Sequence, residues 1–247
     1  MSRLDQALVE RHLCDSREKA KRAILAGQVR INDQLARKAS DAVKPDDKII
    51  LEAPEKFVSR GGYKLEHALQ HFQLNVNGLT AIDLGASTGG FTDCLLQHGA
   101  KKVFAVDVGH GQLAWKLRGD QRVVVMEKTN ARALTPTKMS QPFSGADLVV
   151  IDCSFISLRK ILPAAVALLG SSGKIAALVK PQFEAGKAEA DKGAGVITDP
   201  EIHARVLREL KEFVGAETEL LWRGETESPL LGPAGNKEFL VLLEKKT

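Results

Sequence analysis

The chain has 247 residues, enough for one ordinary domain and a second, small one. Hydrophobic residues make up 44% of it, which supports a packed core and excludes a disordered chain. The net charge of +4 leans mildly toward a polyanionic partner, and three scattered cysteines (Cys14, Cys94, Cys153) without C-x-x-C spacing exclude a disulfide framework or zinc knuckle. Reduced thiols in a cytoplasmic setting are the expectation. Residues 1–6 are charged rather than apolar, and the longest apolar run, 161–170, spans about ten residues. No secretory signal and no membrane span are therefore expected.

In chain order, residues 1 to about 52 read as a small α/β module. Leu4, Ala7 and Leu8 mark a short amphipathic helix. Ser16 caps a second helix over 17–26, which Gly27 stops. That helix should bury Ala20, Ile24 and Leu25 and show Arg17, Lys21 and Arg22 to solvent. Val29 and Ile31 alternate with polar residues in a strand, Asn32 and Asp33 make a turn, and residues 48–51 form another strand. Between Arg11 and Lys38 lie eight basic residues (Arg11, Arg17, Lys19, Lys21, Arg22, Arg30, Arg37, Lys38) against three acids. Such a bias suits a phosphate backbone or simply a solvated face.

Residues 53–56, with Pro54, read as a linker. Beyond it strands and helices alternate. Strands are predicted at 80–84, 103–107, 123–126, 147–151, 175–179, 218–222 and 238–243, and helices near 62–72, 90–98, 157–169 and 201–213. The alternation predicts a mostly parallel, Rossmann-like sheet with helices on both faces, whose ligands bind beyond the carboxyl ends of the strands.

The strand at 80–84 ends in Asp83 and runs into Gly85, Ser87, Gly89 and Gly90 before a helix. Glycines allow a tight turn and close approach of a ligand to the backbone. The strand at 103–107 ends in Asp107, whose carboxylate can accept both hydroxyls of a bound ribose. The spacing is G-x-x-x-G-G, neither G-x-G-x-x-G nor G-x-x-x-x-G-K-[ST], which favours S-adenosylmethionine over NAD or ATP.

Asp152 and Lys180 each end a predicted strand, Glu238 begins one, and Lys64 lies on the helix before the glycine loop. This set suits removal of a proton from a ribose hydroxyl, a poor nucleophile until it is deprotonated. Lys180 is assigned as base, Lys64 and Glu238 as positioning groups, and Asp152 as an orienter near the methyl donor. Base-amine methylation would call for Asp/Asn-Pro-Pro-aromatic, whereas residues 152–155 read DCSF. Cys153 stands where a cysteine nucleophile for pyrimidine carbon methylation would be suggestive, but a packed thiol is the preferred reading. His67 and His71 share a helix face without a third ligand, so no metal site is expected.

Several ordered motifs carry a resemblance: 3–9 (RLDQALV), 16–20 (SREKA), 26–30 (AGQVR), 59–65 (SRGGYKL), 83–93, 128–132 (KTNAR), 152–157 (DCSFIS), 180–184 (KPQFE) and 232–240 (GPAGNKEFL). Across nearly its full length the chain resembles the TlyA, or haemolysin A-like, ribosomal-RNA 2′-O-methyltransferases. The resemblance implies an RNA-binding domain of the ribosomal protein S-four type over 1–57 and an FtsJ/RrmJ-type methyltransferase domain over 58–247. It implies a Lys-Asp-Lys-Glu tetrad at Lys64, Asp152, Lys180 and Glu238. It implies S-adenosylmethionine as donor, with Gly85, Ser87 and Gly89 near its methionine end, Asp107 at its ribose and Asn130 near its adenine. Asp83, Gly90, Val108 and Asp152 complete that cofactor set. A cytidine ribose of ribosomal RNA or a ribosomal subunit is the implied acceptor, held in part by Arg3, Arg11, Arg17, Lys19, Lys21, Arg22 and Arg30, with neither DNA nor membrane as partner. Ala86 stands where family members often have Ser, and Tyr63 fills a variable position. Two alternatives accompany this reading: a non-catalytic RNA-binding assembly factor, and a membrane-lysing haemolysin.

Overall fold

The computed structural model describes residues 1–52, 55–140, 142–186, 189, 193 and 195–246, and the chain divides into two compact units, Met1–Lys56 and Phe57–Thr247. Of the linker predicted at 53–56, Ala53 and Pro54 lie outside the described residues.

The first unit contains β1 (Ser2–Arg3), α1 (Leu4–Glu10), α2 (Arg17–Leu25), β2 (Val29–Ile31), β3 (Gln34–Leu35), β4 (Ala42–Val43) and β5 (Ile49–Leu51). Ser16 caps α2 by accepting from the Lys19 amide at 3.3 Å, and Gly27 follows the helix with φ 72°. Strand β2 is central in a three-stranded sheet, antiparallel to β3 and β5, while β1 pairs with β4. Leu4, Leu8, Ala20, Ile24, Val29 and Val43 close a core in which α1 and α2 pack together. Leu25 departs from expectation, being 82% exposed. The buried face of α2 is Ala20, Ala23 and Ile24, and the next residue turns about 100° away from it.

The second unit runs α3 (Gly61–His71), β6 (Thr80–Leu84), α4 (Gly90–Gln97), β7 (Lys102–Val106), α5 (Trp115–Arg118), β8 (Val123–Met126), β9 (Ala146–Ile151), α6 (Leu162–Leu168), β10 (Leu169–Val179), α7 (Pro181–Glu184), α8 (Pro200–Glu217), β11 (Leu220–Glu227) and β12 (Phe239–Lys245). One seven-stranded sheet has the order β11-β12-β10-β9-β6-β7-β8. Its strands are parallel from β10 to β8, and β12 is antiparallel to both neighbours. The predicted helix at 157–169 is shorter than expected. A 3-10 turn, Leu158–Lys160, precedes α6, and the chain becomes extended at Leu169, so β10 begins before the apolar run 175–179 that marks it in sequence. Glu238 sits immediately before β12 rather than inside it.

Alternation along the strands loads both faces. Ile82, Leu84, Phe104, Val149, Ile151 and Ile175 face a core completed by Leu162 and Leu168 of α6 and Val206 and Leu210 of α8. Ala81, Val103, Ala105, Leu148, Val150 and Leu178 face another completed by Leu65 and Leu69 of α3 and Phe91 and Leu95 of α4. Each fully buried Leu or Ile contributes roughly 1.5–3 kcal/mol. The first turns of α3 and α4 pack closely through Gly61, Gly62 and Gly90. A Cβ on Gly90 would lie 2.8 Å from the Gly62 amide nitrogen, and one on Gly62 would lie 2.2 Å from Cγ of buried Phe57. That closeness brings Lys64 beside the loop that opens α4.

Candidate active site

The chain passes from β6 to β7 and β8 on one side and returns through β9 and β10 on the other, so the order reverses between β6 and β9. A cleft opens beyond the carboxyl ends at such a reversal. At its floor Gly85 has φ 89°, and its amide and that of Ala86 both donate to the Val106 carbonyl, at 2.9 and 3.1 Å. A Cβ on Gly85 would lie 2.6 Å from the Asp152 carbonyl oxygen, so only glycine lets β6 and β9 end this close together.

Asp107 follows β7 and organises the loops above. Its carboxylate accepts from the Ser87 amide at 2.8 Å and the Gly109 amide at 2.6 Å, while its carbonyl accepts from the Thr129 amide at 2.9 Å. Each carboxylate oxygen has a further lone pair for a ligand. A cavity of about 510 Å³ lies here, lined by Gly85, Ser87, Asp107, Val108, Gln112, Thr129, Asn130, Arg132, Asp152, Cys153, Ser154 and Phe155 among others. Its size, acidic floor and partly apolar wall fit an adenosine-containing cofactor.

Of the nine residues expected at the cofactor, Gly85, Ser87, Asp107, Val108, Asn130 and Asp152 line this cavity, and Asp83, Gly89 and Gly90 do not. Gly89, at φ 98°, opens α4; a Cβ there would meet Leu117 Cδ1 at 2.3 Å. Gly90 lies against Ser59 and Gly62. Asp83 is wholly buried beneath the loop, where Oδ2 accepts from the Thr92 amide at 2.9 Å and the Thr92 hydroxyl at 2.7 Å. Among the described residues its Oδ1 has no partner. Burial, with Asp152 and Asp107 nearby, outweighs the Thr92 bonds and pushes the Asp83 carboxyl up to about 7. Asp83, Gly89 and Gly90 therefore shape the loop from behind.

Of the four residues expected to act on the acceptor, Asp152 alone lines this cavity, and the four form two pairs. Lys64 of α3 donates to Glu238, across 174 positions of sequence. Lys180 Nζ lies 2.6 Å from Asp152 Oδ1 and 2.8 Å from Ser154 Oγ. Asp152 Oδ1 accepts no well-aligned hydrogen bond, so its contact with Lys180 is one of charge rather than of direction. Strands β10 and β12 pair Val179 with Phe239 as the last step of their ladder, and Lys180 and Glu238 are the residues that immediately flank that step. Lys64, Lys180 and Glu238 are 7, 8 and 1% exposed, a degree of burial that lysine and glutamate tolerate only when paired.

Cys153 is held as a packed thiol. Its Sγ donates to the Leu84 carbonyl at 3.4 Å, and burial beside Asp152 pushes its thiol up to about 12. Sequence reasoning gave no role to its neighbours. Phe155 is 90% exposed with φ 62°, a conformation costly for a bulky side chain, and its ring lies 5.3 Å from that of Phe183. A second cavity of about 380 Å³ shares Arg132, Phe155 and Ile156 with the first and adds Ser157, Lys160, Gln182, Phe183 and Gly186. The signal that could have found it is the aromatic at Phe155, three residues after the strand-end acid Asp152.

In the first unit the seven residues expected to bind RNA divide. Arg3 and Arg17 both pair with Asp5, at 3.0 and 2.8 Å, and Asp5 is fully buried. Burial alone would push the Asp5 carboxyl up; the hydrogen bonds and charge of Arg17 and Arg3 outweigh it and hold it down at about 2. Arg11 donates to the carbonyls of Lys44, Pro45 and Asp47, Lys19 pairs with Asp15, and Arg30 with Glu52. Lys21 and Arg22 are exposed and have no side-chain partner among the described residues.

This fold and this rim define an FtsJ-like methyltransferase: the family of that description matches residues 57–245, and the S4 domain matches residues 2–49. Relatives similar along the whole chain narrow the assignment, and the chain belongs to the TlyA family of such proteins. It is 45% identical over 250 residues to the 16S/23S rRNA (cytidine-2′-O)-methyltransferase TlyA of Mycobacterium tuberculosis, covering 100% of this chain and 91% of that one. It is 49% identical over 242 residues to YqxC of Bacillus subtilis, covering 98% of this chain and 85% of that one. A solved Streptococcus thermophilus structure that carries a hemolysin name is similar with TM-score 0.75 and 42% identity, over 99% of this chain and 88% of that one. Among the described residues no helix is long and apolar enough to cross a membrane.

Proposed function

We propose that this protein transfers a methyl group from S-adenosylmethionine to the 2′-hydroxyl of a cytidine ribose in ribosomal RNA, free or in a ribosomal subunit, in the cytoplasm. The observation that carries the reading is the pairing of Lys64 with Glu238 and of Lys180 with Asp152, the last of which lines a cavity with an adenosine-like fit. S-adenosylmethionine, when bound, supplies an electrophilic methyl group on a sulfonium. The remaining work belongs to the chain. Asp107 holds a ribose through its free lone pairs, and Asn130 and Val108 lie against the base. Asp152 and Ser154 hold the Lys180 nitrogen, which takes the proton of the acceptor hydroxyl. The buried Lys64–Glu238 pair positions the hydroxyl from the neighbouring strand end.

The second cavity, with its exposed aromatic and its cations Arg132 and Lys160, suits the base and phosphate of an unstacked acceptor nucleotide. Lys21 and Arg22 supply backbone contacts from the first unit. Three free cysteines agree with a reducing compartment.

The deciding assay supplies labelled S-adenosylmethionine with naked rRNA, separate subunits and whole ribosomes from a strain without this enzyme. Label should appear on a cytidine ribose and vanish with Lys180→Ala while RNA affinity persists. Tight cofactor and RNA binding without label on any of the three substrates would instead identify an assembly factor.

A further inference from the structure

We propose that Ser154 and Glu184 form a brace for Lys180, with Ser154 as the positioning residue and Glu184 as the anchor that keeps it in place; this rests on Lys180 meeting the acceptor hydroxyl. An amine nitrogen has four tetrahedral positions, one of them taken by its own carbon. Ser154 Oγ, accepting at 2.8 Å, occupies a second, while the Asp152 carboxylate 2.6 Å away holds the nitrogen by charge without fixing its direction. The Ser154 hydrogen bond is therefore what sets the orientation of the amine toward the reacting hydroxyl.

Ser154 stands on an exposed loop, 153–157, with no regular structure of its own to hold it. The loop contains Phe155 at φ 62°, a left-handed conformation that an aromatic residue adopts only when its surroundings impose it. Glu184 imposes it. One of its oxygens accepts from the Ser157 hydroxyl at 2.6 Å and the other from the Leu158 amide at 2.7 Å. The Phe155 and Phe183 rings add a second contact between the same two segments. Ser157 is fixed in turn by accepting from the Arg159 amide at 3.2 Å.

Glu184 is the last residue of α7, and Lys180 immediately precedes that helix. The contacts therefore close a ring: from Lys180 through α7 to Glu184, across to Ser157, back along the loop to Ser154, and from its hydroxyl to Lys180. Four residues of rigid helix link the anchor to the amine it serves. Glu184 is half-buried, and its burial raises the carboxyl against the lowering effect of the Ser157 and Leu158 bonds.

The test uses the full chain, labelled S-adenosylmethionine and whichever rRNA substrate accepts the label. For Ser154→Ala, kcat should fall about tenfold to a hundredfold at saturating cofactor, the loss typical of a misplaced reacting group, while Tm stays near that of the parent. Ser154→Thr, which keeps the hydroxyl, should restore most of kcat. Glu184→Gln keeps one acceptor and loses the other, and should lower kcat severalfold with cofactor Kd unchanged; Tm identifies any variant that merely unfolds. An unchanged kcat in Ser154→Ala, or a loss that Thr does not rescue, overturns the brace. Full turnover by Lys180→Ala would instead remove the functional reading on which the brace rests, so the two failures are distinct.

Discussion

Asp83 shows how one residue's environment decides its behaviour. It lies under the glycine loop with both Thr92 donors on one oxygen and none on the other, and its carboxyl is pushed up to about 7 by burial. A carboxyl whose folded value is raised adds stability that is complete below its unfolded value, 3.8, and is lost as pH rises through about 7. Asp83→Asn keeps an acceptor for Thr92 and places an uncharged amide at the orphan position. Its Tm should therefore change less than the parent's between about pH 4 and pH 7, and should be no lower at pH 8. A variant that melts well below the parent at pH 8 would show that the carboxylate itself is required. Asp5 has the opposite sign. Its lowered value, about 2, gives stability that is present above 3.8 and is lost as pH falls through 2. Asp5→Asn should lower the melting temperature of the first unit at neutral pH and flatten its acid limb, measurable by circular dichroism. Its Arg3 and Arg17 partners are about half exposed, so solvent screening holds the cost to the order of 1–2 kcal/mol.

Among the elements, α2 carries a division that composition conceals. Arg17 belongs to the interior through Asp5, whereas Lys21 and Arg22, one turn further on, are unpaired among the described residues. Substituting Lys21 or Arg22 by Ala should weaken rRNA binding and reduce the salt slope by roughly 0.7–0.9 for each phosphate no longer neutralised. Arg17→Ala should chiefly lower the stability of the first unit; titrations at several salt concentrations, with melting curves, separate the effects. In the second unit, Gly62→Ala forces a Cβ into the Phe57 ring, 2.2 Å from Cγ, and should cost roughly 1–3 kcal/mol as overpacking does. A denaturation midpoint equal to the parent's would mean that Phe57 moves aside freely. The sequence marks most elements because apolar strands and capped helices are local facts: β6 and β8 lie where the runs 80–84 and 123–126 predict them. Leu25 misleads for an equally local reason, since apolar character says nothing of azimuth until a neighbouring face is known.

At the scale of the whole molecule, the tetrad is legible because Asp152, Lys180 and Glu238 each end or precede a strand, and the sheet order carries those strand ends to a common edge. The pairings within it are not. That Lys64 meets Glu238 depends on the reversal of β12, and that Lys180 meets Asp152 depends on the pairing of β10 with β9, neither of which a local signal announces. Glu184 and Ser154 escape notice for the same reason: their meaning lies in partners 26 or 27 positions away. The reversed strand has a consequence for the life of the chain. Synthesis runs from the first residue to the last, so the glycine loop, Lys64, Asp152 and Lys180 all emerge before Glu238. Until the final strand inserts between β10 and β11, Lys64 is without its carboxylate and the sheet is split. Under the proposed function competence is thus acquired late, and a chain still being translated, surrounded by the RNA of the ribosome making it, lacks one of the four residues assigned to the reaction.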